Sequence, residues 1–534
     1  MIGSGWVLTH NLPNRYDVYF GDETTYLYSG LTYTFPPDSY LAQWGSLYAA
    51  WYGVLHKLIP NVLQVFYLNW QLLIILTGVL LFLYLFLRRS GFLVSLFCAV
   101  LFQFSTLNVL LDPRISAFTL CLLLGGLCAL QAWHWKPQNV MMLTALVALV
   151  CAYVRPEFYI SMIIAGVIGI GMSFYPSMRS GRIWLKTAGV VLFVLAMHWF
   201  FGKPLSGSNR SYDAFVQHFF INYQSWHHQP LDKPIVQQFA WFEQIFGKDV
   251  KSMPAAFMVH PDLVIHHLWT NLQNTILAEL HSLWNIFFET PLTSLNSPYR
   301  KWILGALAAF VVFGLIDWRE TYRQVVRRIR CFTTKELALL ILLLPSFVSV
   351  ILVFPRSHYL YFHAFGMLVF VAFLLTSIQL RRSVNQSPVW VGSLLMVLVG
   401  WVVYQYSQRL QAFSTPTAHT IQFVESLPVK GPVTSLEREW YRVFLYEPER
   451  IPKWVRVEQY IPNTDFARFV TENNVNFILM TRDMQKYFAN DQGFSDFLSQ
   501  ANSVGFVRLE TPEPSGYLLI QQSLLNKGNL ALDN

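Results

Sequence analysis

Two adjacent carboxylates, Asp22 and Glu23, lie inside an aromatic segment that covers residues 19–26. Neighbouring carboxylates can divide the work of catalysis, because one can accept a proton from an attacking hydroxyl while the other holds a metal or orients the acceptor. Burial against aromatic rings would raise the pKa of a carboxyl group toward the range that is useful for this task. A solvated Asp-Glu turn has the same sequence, so the dipeptide alone defines only a candidate site.

Three further short segments carry charge between long apolar stretches. They are Asp112-Pro113-Arg114, Arg155-Pro156-Glu157 and Pro355-Arg356-Ser357-His358-Tyr359. Each is also typical of a helix end assisted by proline. Packed helices would bring all three to one surface beside Asp22, where the planar forks of the arginines match the oxygens of a phosphate group. We therefore predict a cleft that combines carboxylates and guanidinium groups at a membrane boundary.

The elements that must position these residues are strongly apolar. Hydrophobic residues make up 54% of the chain and charged residues only 13%, whereas a soluble domain contains about 25% charged residues. The net charge of +8 would suggest a nucleic-acid partner in a soluble protein. Here the basic residues lie between apolar stretches, which favours a membrane protein that binds no nucleic acid.

Ten apolar stretches are candidates for crossing a bilayer. They cover residues 64–87, 92–110, 115–133, 139–154, 158–175, 187–201, 301–317, 336–354, 360–380 and 388–406. The first stretch ends in Arg88-Arg89, which places that end in the cytoplasm and residues 1–63 outside. With this orientation, fourteen Lys and Arg residues fall in the inside connections, and five fall in the short outside connections and the first outside segment. The prediction is an α-helical polytopic bundle in the plasma membrane, or bacterial inner membrane.

The chain divides into two predicted domains. Residues 1–407 form the transmembrane domain, with a first outside loop at 1–63 and a larger outside loop of interfacial helices at 202–300. Residues 408–534 have the composition of a soluble α/β domain, which we place on the extracytoplasmic side. Within it, residues 477–480 and 517–520 predict buried strands, and residues 494–501 predict a helix.

With these features the chain resembles the GT-C glycosyltransferases, membrane enzymes that use polyprenyl-phosphate sugars. It is most similar to the branch that contains the protein O-mannosyltransferases and the aminoarabinose transferases of lipid A. Asp22-Glu23 matches the Asp-Glu motif in the first outside loop of that family, and Gly45-Ser46-Leu47-Tyr48 follows as expected. The Arg155 and Arg356 turns also recur in such sequences. The resemblance covers nearly the whole chain and implies a bundle of about ten or eleven transmembrane helices.

One departure concerns the amino terminus. The family has a helix before the Asp-Glu loop, whereas this chain opens directly with the segment that we place outside. A start codon assigned too late would explain the difference, and we would then expect an in-frame apolar helix in the DNA upstream.

The resemblance also implies roles for the charged residues. Asp22 would act as the general base on the acceptor hydroxyl, and Glu23 would assist it. Arg356, together with Arg155, would bind the phosphate of the donor. The implied donor is a sugar linked to polyprenyl phosphate, and the implied acceptor is a hydroxyl of a glycan, a lipid or a protein.

A second group of residues would contact the acceptor or a divalent cation (Mg, Mn or Ca). Its members are Asp112, Glu157 and His358, with Asp112 as the candidate metal ligand. Apart from this cation, the resemblance implies no cofactor. The membrane lipid itself is an expected partner, because an apolar bundle would hold the polyprenyl tail.

Two other classes of protein fit the same features. An O-antigen polymerase or ligase also has many spans and one large outside loop. The His-rich segment 202–300 is compatible with that class of enzyme. A lipid or glycan transporter, or a scaffold without enzymatic activity, is the other alternative. Transporters place ionisable groups near the middle of the bilayer, whereas the predicted spans of this chain carry few charges.

Overall fold

The computed structural model describes residues 1–34, 37, 44–105, 113–174, 183–203, 210–228, 235–288, 316–379, 400, 415–446 and 453–525. Before residue 400 the described chain is predominantly helical. Its helices are α1 (Ile2–Thr9), α2 (Asp22–Leu31), α3 (Ser46–Leu58), α4 (Val62–Leu87), α5 (Phe92–Gln103), α6 (Ile115–Ala132), α7 (Pro137–Ala152), α8 (Phe158–Phe174), α9 (Ile183–Phe201), α10 (Arg210–Trp226), α11 (Ile235–Phe246), α12 (Met253–Val259), α13 (Pro261–Phe288), α14 (Trp318–Arg330), α15 (Thr334–Leu352) and α16 (Ser357–Leu375).

Three helices in the described part of the chain, α4, α6 and α15, are long and apolar enough to cross a membrane. Shorter apolar helices are Phe92–Gln103, Pro137–Ala152, Phe158–Phe174, Ala188–Phe201 and Tyr359–Leu375. Each of these helices overlaps one of the predicted spans. The predicted spans at 301–317 and 388–406 lie almost entirely outside the described residues.

The apolar helices pack side by side, and their polar contacts collect at opposite ends. At one end, Asn69 of α4 bonds to side chains of α3. At the other end, Arg88 pairs with Glu336 at 3.7 Å, and Lys335 Nζ donates to the carbonyl of Trp133 at 3.2 Å. The stretch of α4 from Asn69 to Arg88 spans about 28 Å of helix. This length is close to the ~30 Å thickness of the hydrocarbon core of a bilayer.

The structure differs from the prediction for the first residues of the chain. Residues 1–63 were expected to form one outside loop, but α1 packs beside the middle of α4. A Cβ on Gly5 would lie 2.8 Å from the Ile75 side chain and 2.6 Å from that of Gln103, so a larger residue would require these side chains to shift. Ser4 Oγ completes the contact by donating to Gln103 Oε1 at 2.8 Å.

The segment predicted as a large loop of interfacial helices contains α10 to α13. Phe215, Phe219 and Phe242 form the centre of its own small aromatic core. The helix α13 has 28 residues and packs against α16. There Glu279 contacts the buried His363, which also stacks on Phe347 at 4.0 Å.

The C-terminal part begins with α17 (Pro416–Ser426) and continues as a mixed sheet with flanking helices. The further elements are β1 (Thr434–Glu437), β2 (Lys453–Arg456), α18 (Phe466–Glu472), β3 (Phe477–Met480), α19 (Arg482–Tyr487), α20 (Gln492–Gln500), β4 (Phe506–Glu510) and β5 (Tyr517–Gln521). The strand order is β2-β1-β3-β5-β4, with β1 parallel to β2 and β3, and β5 antiparallel to β3 and β4. The two predicted strands and the predicted helix are confirmed as β3, β5 and α20.

This C-terminal part packs directly on the segment that carries the Asp-Glu pair. Both carboxylate oxygens of Asp17 cap α17 by accepting from the backbone N–H groups of Thr417 at 3.0 Å and Ala418 at 2.8 Å. Phe20 lies on Tyr441, with ring centroids 4.5 Å apart. The first loop and the last domain therefore share one contact surface.

A buried cation stabilises the loop that makes this contact. The Arg442 guanidinium lies between two indole rings, 4.1 Å from the centroid of Trp440 and 3.7 Å from that of Trp454. Its Nη1 donates to Glu437 Oε1 at 3.0 Å. Cation–π contacts of this kind are strongest when they are desolvated. The same Trp440 ring lies 6.4 Å from Tyr28 on α2, so the cluster supports the helix that begins at Asp22.

Candidate active site at one end of the helices

The helix α2 begins at Asp22, and its first turn explains why it begins there. Thr24 Oγ1 donates to the carbonyl of Gly21 at 2.7 Å and accepts from the backbone N–H of the same residue at 3.3 Å. Two acidic residues in the first turn also suit the positive end of the helix dipole. The two carboxylates differ in solvent exposure: Asp22 is exposed, whereas Glu23 is only 2% exposed.

Glu23 is the centre of a buried hydrogen-bond network. The hydroxyls of Tyr48 and Tyr52, one turn apart on α3, both donate to Glu23 Oε1. Asn69 Nδ2 donates to each of these hydroxyls at 2.7 Å. The indole N–H of Trp51 in turn donates to Asn69 Oδ1 at 2.9 Å. The network therefore joins α2, α3 and α4.

The chemistry of the donors determines the direction of every proton in this network. An indole N–H can only donate, so it identifies the oxygen of the Asn69 amide and directs the NH₂ group at the two phenols. The phenol protons must then point at Glu23 Oε1, which accepts both hydrogen bonds. Burial, and next the charge of Glu23, raise the pKa of Tyr48 and of Tyr52 well above the usual value. Glu23 thus positions α2.

Close backbone packing reinforces the same arrangement. A Cβ on Gly30 would lie 2.5 Å from the carbonyl oxygen of Ala49 and 3.0 Å from the backbone nitrogen of Gly53. Glycines at these two positions therefore let α2 and α3 approach closely along their length. The position of Asp22 is consequently determined by a rigid pair of helices and not by a free loop.

The Arg155 turn meets the first loop at this end of the bundle. Gly45, at φ +87°, precedes α3, and a Cβ there would lie 3.0 Å from the Val154 carbonyl oxygen and 3.5 Å from the Tyr26 ring. The backbone N–H of Leu47 donates to the carbonyl of Tyr153 at 3.2 Å. The structure therefore brings the turn 155–157 next to α2.

Arg155 itself is 5% exposed and fully engaged. Its Nε donates to Glu157 Oε1 at 2.6 Å, and its Nη1 donates to Ser116 Oγ at 2.5 Å. The guanidinium lies 4.4 Å from the centroid of the Tyr359 ring, at the start of α16. Arg155 and Glu157 therefore neutralise each other and join the 155–157 turn to the turns before α6 and α16.

We expect Arg155→Gln to lower the free energy of unfolding by roughly 3–5 kcal/mol, because it leaves the Glu157 carboxylate without its buried partner. Arg155→Lys should be intermediate, since an ammonium cannot reproduce the fork and the ring stacking. Thermal unfolding of the purified protein in detergent measures both, and Arg323→Gln at an exposed site is the matched control. An Arg155→Gln variant with unchanged stability would show that the guanidinium does not hold the turn.

Arg356 differs from Arg155 in its surroundings. It is only half-buried, caps the N-terminus of α16, and forms no ion pair with any residue in the described ranges. It faces α10, where burial and next the charge of Arg356 lower the pKa of His218 to about 4. Of the two predicted phosphate ligands, Arg356 is therefore the one whose charge is not already compensated.

Two of the predicted residues cannot be placed. Asp112, the candidate metal ligand, lies outside the described residues, and for His358 the structure describes the backbone in α16 but not the side chain. Among the described residues, no three His, Cys, Asp or Glu side chains are grouped to hold a metal ion. The two buried or half-buried carboxylates of the predicted site have other partners, because Glu23 accepts from two phenols and Glu157 pairs with Arg155.

One histidine of the 202–300 segment, His267, has a structural role. The ring of His267 is buried between the amides of Asn222 at 3.0 Å and Asn271 at 3.1 Å. Asn271 also donates to the carbonyl of Val353 at 3.0 Å, which ties α13 to the end of α15. Burial lowers the pKa of His267 to about 4. These contacts give His267, Asn222 and Asn271 a structural role in joining α10, α13 and α15.

Acidification is therefore expected to destabilise the protein. His218 and His267 have folded pKa values of about 4, below the ordinary value of about 6.5, so the unfolded chain binds more protons between these values. Stability is complete above pH 6.5 and falls as the pH drops toward 4, by roughly 3 kcal/mol at most for each histidine. Thermal unfolding at pH 7, 6 and 5 measures this loss. The His218→Gln/His267→Gln variant should show a flatter pH profile than His227→Gln; equal profiles would contradict the assignment.

The structure also adds residues that the sequence did not indicate. His198 of α9 contacts the hydroxyl of Tyr153 through Nδ1 at 2.8 Å and that of Tyr159 through Nε2 at 2.9 Å. Ser46 Oγ donates to the carbonyl of Phe201 at 2.9 Å, which joins α9 to the start of α3. The only sequence signal for this group is its position, since the two tyrosines flank the predicted turn at 155–157.

The described chain is thus a predominantly helical protein with helices able to cross a membrane, polar turns gathered at one end, and a small mixed sheet packed on those turns. No protein-family model matches the chain, and no curated protein matches it either.

Proposed function

We propose that the protein is a polytopic membrane glycosyltransferase that moves a sugar from a polyprenyl-phosphate donor to an acceptor hydroxyl on the extracytoplasmic side. The observation that carries this proposal is the arrangement around α2. Asp22 is exposed on a helix held by buried contacts, the turn with Arg155 lies next to the same helix, and the start of α16, where Arg356 lies, contacts Arg155 through Tyr359. A base, a positive charge and an apolar body are the parts that such a transfer needs.

The proposed reaction is a single displacement at the anomeric carbon. Asp22 accepts the proton of the acceptor hydroxyl as its oxygen forms the new bond to that carbon. The bond between the anomeric carbon and the phosphate oxygen breaks, and its electron pair leaves with the polyprenyl phosphate. Arg356 stabilises the negative charge that develops on this phosphate, because its guanidinium is partly exposed and forms no ion pair with a described residue.

Glu23 and Arg155 support the reaction without taking part in it. Glu23 holds the first turn of α2, and with it Asp22, against α3 and α4. Arg155, neutralised by Glu157, holds the turn that touches the same helix. The two adjacent carboxylates therefore have different roles: Asp22 accepts the proton, and Glu23 holds Asp22 in position.

The membrane arrangement belongs to the same proposal. About ten spans would form the bundle in the plasma membrane, or bacterial inner membrane, with the Asp22 end outside. The C-terminal domain would then lie outside as well, since it packs on the segment around Phe20. From that place it would form one wall of the acceptor site.

The test is a transfer assay with the purified protein in vesicles. Donors are polyprenyl-phosphate mannose, glucose and aminoarabinose, each with a labelled sugar, and the acceptors are a lipid A, a glycan and a Ser/Thr peptide. We expect transfer from one lipid-linked donor and none from the corresponding nucleotide sugar. Transfer from a lipid-linked oligosaccharide alone would favour a ligase instead, and no transfer from any donor would contradict the proposal.

One observation favours transport as a second candidate function. Glu279 and His363 form a contact between α13 and α16, and His363 is buried within an apolar helix. Ionisable pairs inside membrane helices commonly mark transport paths. A transporter would move the labelled lipid-linked sugar between leaflets without transferring it, and Glu279→Gln would stop that movement.

A further inference from the structure

A groove lies at the end of the bundle opposite to Asp22. It has a volume of about 480 Å³, and its walls come from the end of α4, the last turn of α14, the first half of α15 and the second half of α16. Three arginines, Arg88, Arg89 and Arg328, lie at its rim. The volume is within the range of sites that hold a small ligand.

The rim carries an excess of positive charge. Arg88 is compensated by Glu336, the only acidic residue that lines the groove in the described part of the chain. Arg328 has a neutral partner, because its Nη1 donates to Thr376 Oγ1 at 2.5 Å. Arg89 forms no ion pair with any residue in the described ranges. Among the described residues, none compensates the charges of Arg89 and Arg328, so both guanidinium groups can bind an anion.

The groove continues into an apolar surface along the helices. On α15, the exposed side chains of Leu340, Leu344 and Phe347 follow one another at helical spacing. On α16, Phe370 is 59% exposed and Leu374 lies one turn further on. A ligand in this groove would thus meet two arginines at one end and an apolar track directed toward the centre of the bundle.

The helix α14 has the character of a segment that lies on a membrane surface. Five of its thirteen residues are arginines, whereas Trp318, Tyr322 and Ile329 are exposed apolar or aromatic side chains. Basic amphipathic helices of this composition bind the interface of anionic membranes. The groove therefore lies where lipid head groups would be found, about 28 Å along α4 from Asn69.

We propose that this groove binds one anionic phospholipid of the surrounding membrane. Its phosphate lies between Arg89 and Arg328, and an acyl chain follows Leu340 and Phe370. Charge complementarity supports an anionic head group, and the apolar track supports a lipid rather than a free phosphate. The inference rests on the membrane placement in the proposed function, but it requires no glycosyl transfer.

The experiment compares lipid retention in native mass spectrometry. The protein is reconstituted in vesicles of phosphatidylcholine with one fifth phosphatidylglycerol and then extracted in mild detergent. We expect one phosphatidylglycerol to remain bound, and the Arg89→Gln/Arg328→Gln variant to lose about tenfold in occupancy. Arg319→Gln/Arg323→Gln, with the same loss of charge away from the groove, is the matched control and should retain the lipid.

Three results would overturn the proposal. They are equal retention of phosphatidylcholine by the unmodified protein, an equal loss of lipid in both double variants, and displacement of the lipid by millimolar inorganic phosphate. Flotation of the same vesicles separates this proposal from the membrane placement on which it rests. A protein that floats but retains no lipid contradicts only the groove, and a protein that does not float contradicts the placement.

Discussion

The Asp22→Asn variant is expected to transfer sugar about 10²–10⁴-fold more slowly than the unmodified protein, with an unchanged fold. Asparagine has nearly the same shape as aspartate but cannot accept the proton of the acceptor hydroxyl. Because the Asp22 side chain is exposed, and α2 is held by Thr24 and Glu23, the substitution should leave thermal stability within about 0.5 kcal/mol. The rate constant for transfer, measured at saturating donor, is the quantity to compare.

The matched control is Asp262→Asn, at an exposed aspartate near the start of α13. This variant should transfer sugar at the rate of the unmodified protein. Asp22→Glu should recover part of the activity, since it restores a carboxylate at a displaced position. Full activity in Asp22→Asn would refute the assignment of Asp22 as the base, and a similar loss in Asp262→Asn would indicate a nonspecific effect of charge.

Glu23→Ala is expected to lower the free energy of unfolding by roughly 2–6 kcal/mol. The substitution leaves the buried hydroxyls of Tyr48 and Tyr52 without their common acceptor, and each unsatisfied group costs about 1–3 kcal/mol. Glu23→Gln should cost less, because the amide oxygen can still accept from the phenols. Thermal unfolding in detergent gives the order of the three proteins, and transfer should fall in the same order.

The two carboxylates can be distinguished by comparing their variants. If Asp22 is the base and Glu23 positions it, then Asp22→Asn loses activity at full stability, whereas Glu23→Ala loses stability and activity together. The opposite pattern, with a stable but inactive Glu23→Ala protein and an active Asp22→Asn protein, would exchange the two roles. Either result is informative, because the two residues are adjacent in sequence and differ in what surrounds them.

The sequence predicted the helices better than it predicted the site. Long apolar stretches define α4, α6 and α15 directly, and the runs at 477–480 and 517–520 define two paired strands. The sequence could not predict that Asp22 would be exposed and Glu23 buried. That difference depends on Tyr48, Tyr52 and Asn69, which are 25, 29 and 46 residues away from Glu23 in the chain.

The role of Arg155 also could not be predicted from the sequence. Its sequence position indicated a phosphate ligand, but the nearby Glu157 and the distant Ser116 compensate it in the fold. Arg155 and Arg356 both lie next to a proline, and the sequence alone does not show that Glu157 and Ser116 bind the Arg155 guanidinium in the fold. Only the packing of the turns separates a charge that holds the structure from one that is left for a ligand.

The capping of α17 by Asp17 has a consequence for the synthesis of the protein. The two partners are 400 residues apart, so the contact cannot form until the chain has left the ribosome as far as Ala418. At about 5–20 residues per second, this interval lasts roughly 20–80 seconds. During this time the segment that carries Asp22 lacks one of the contacts that hold it in the folded protein.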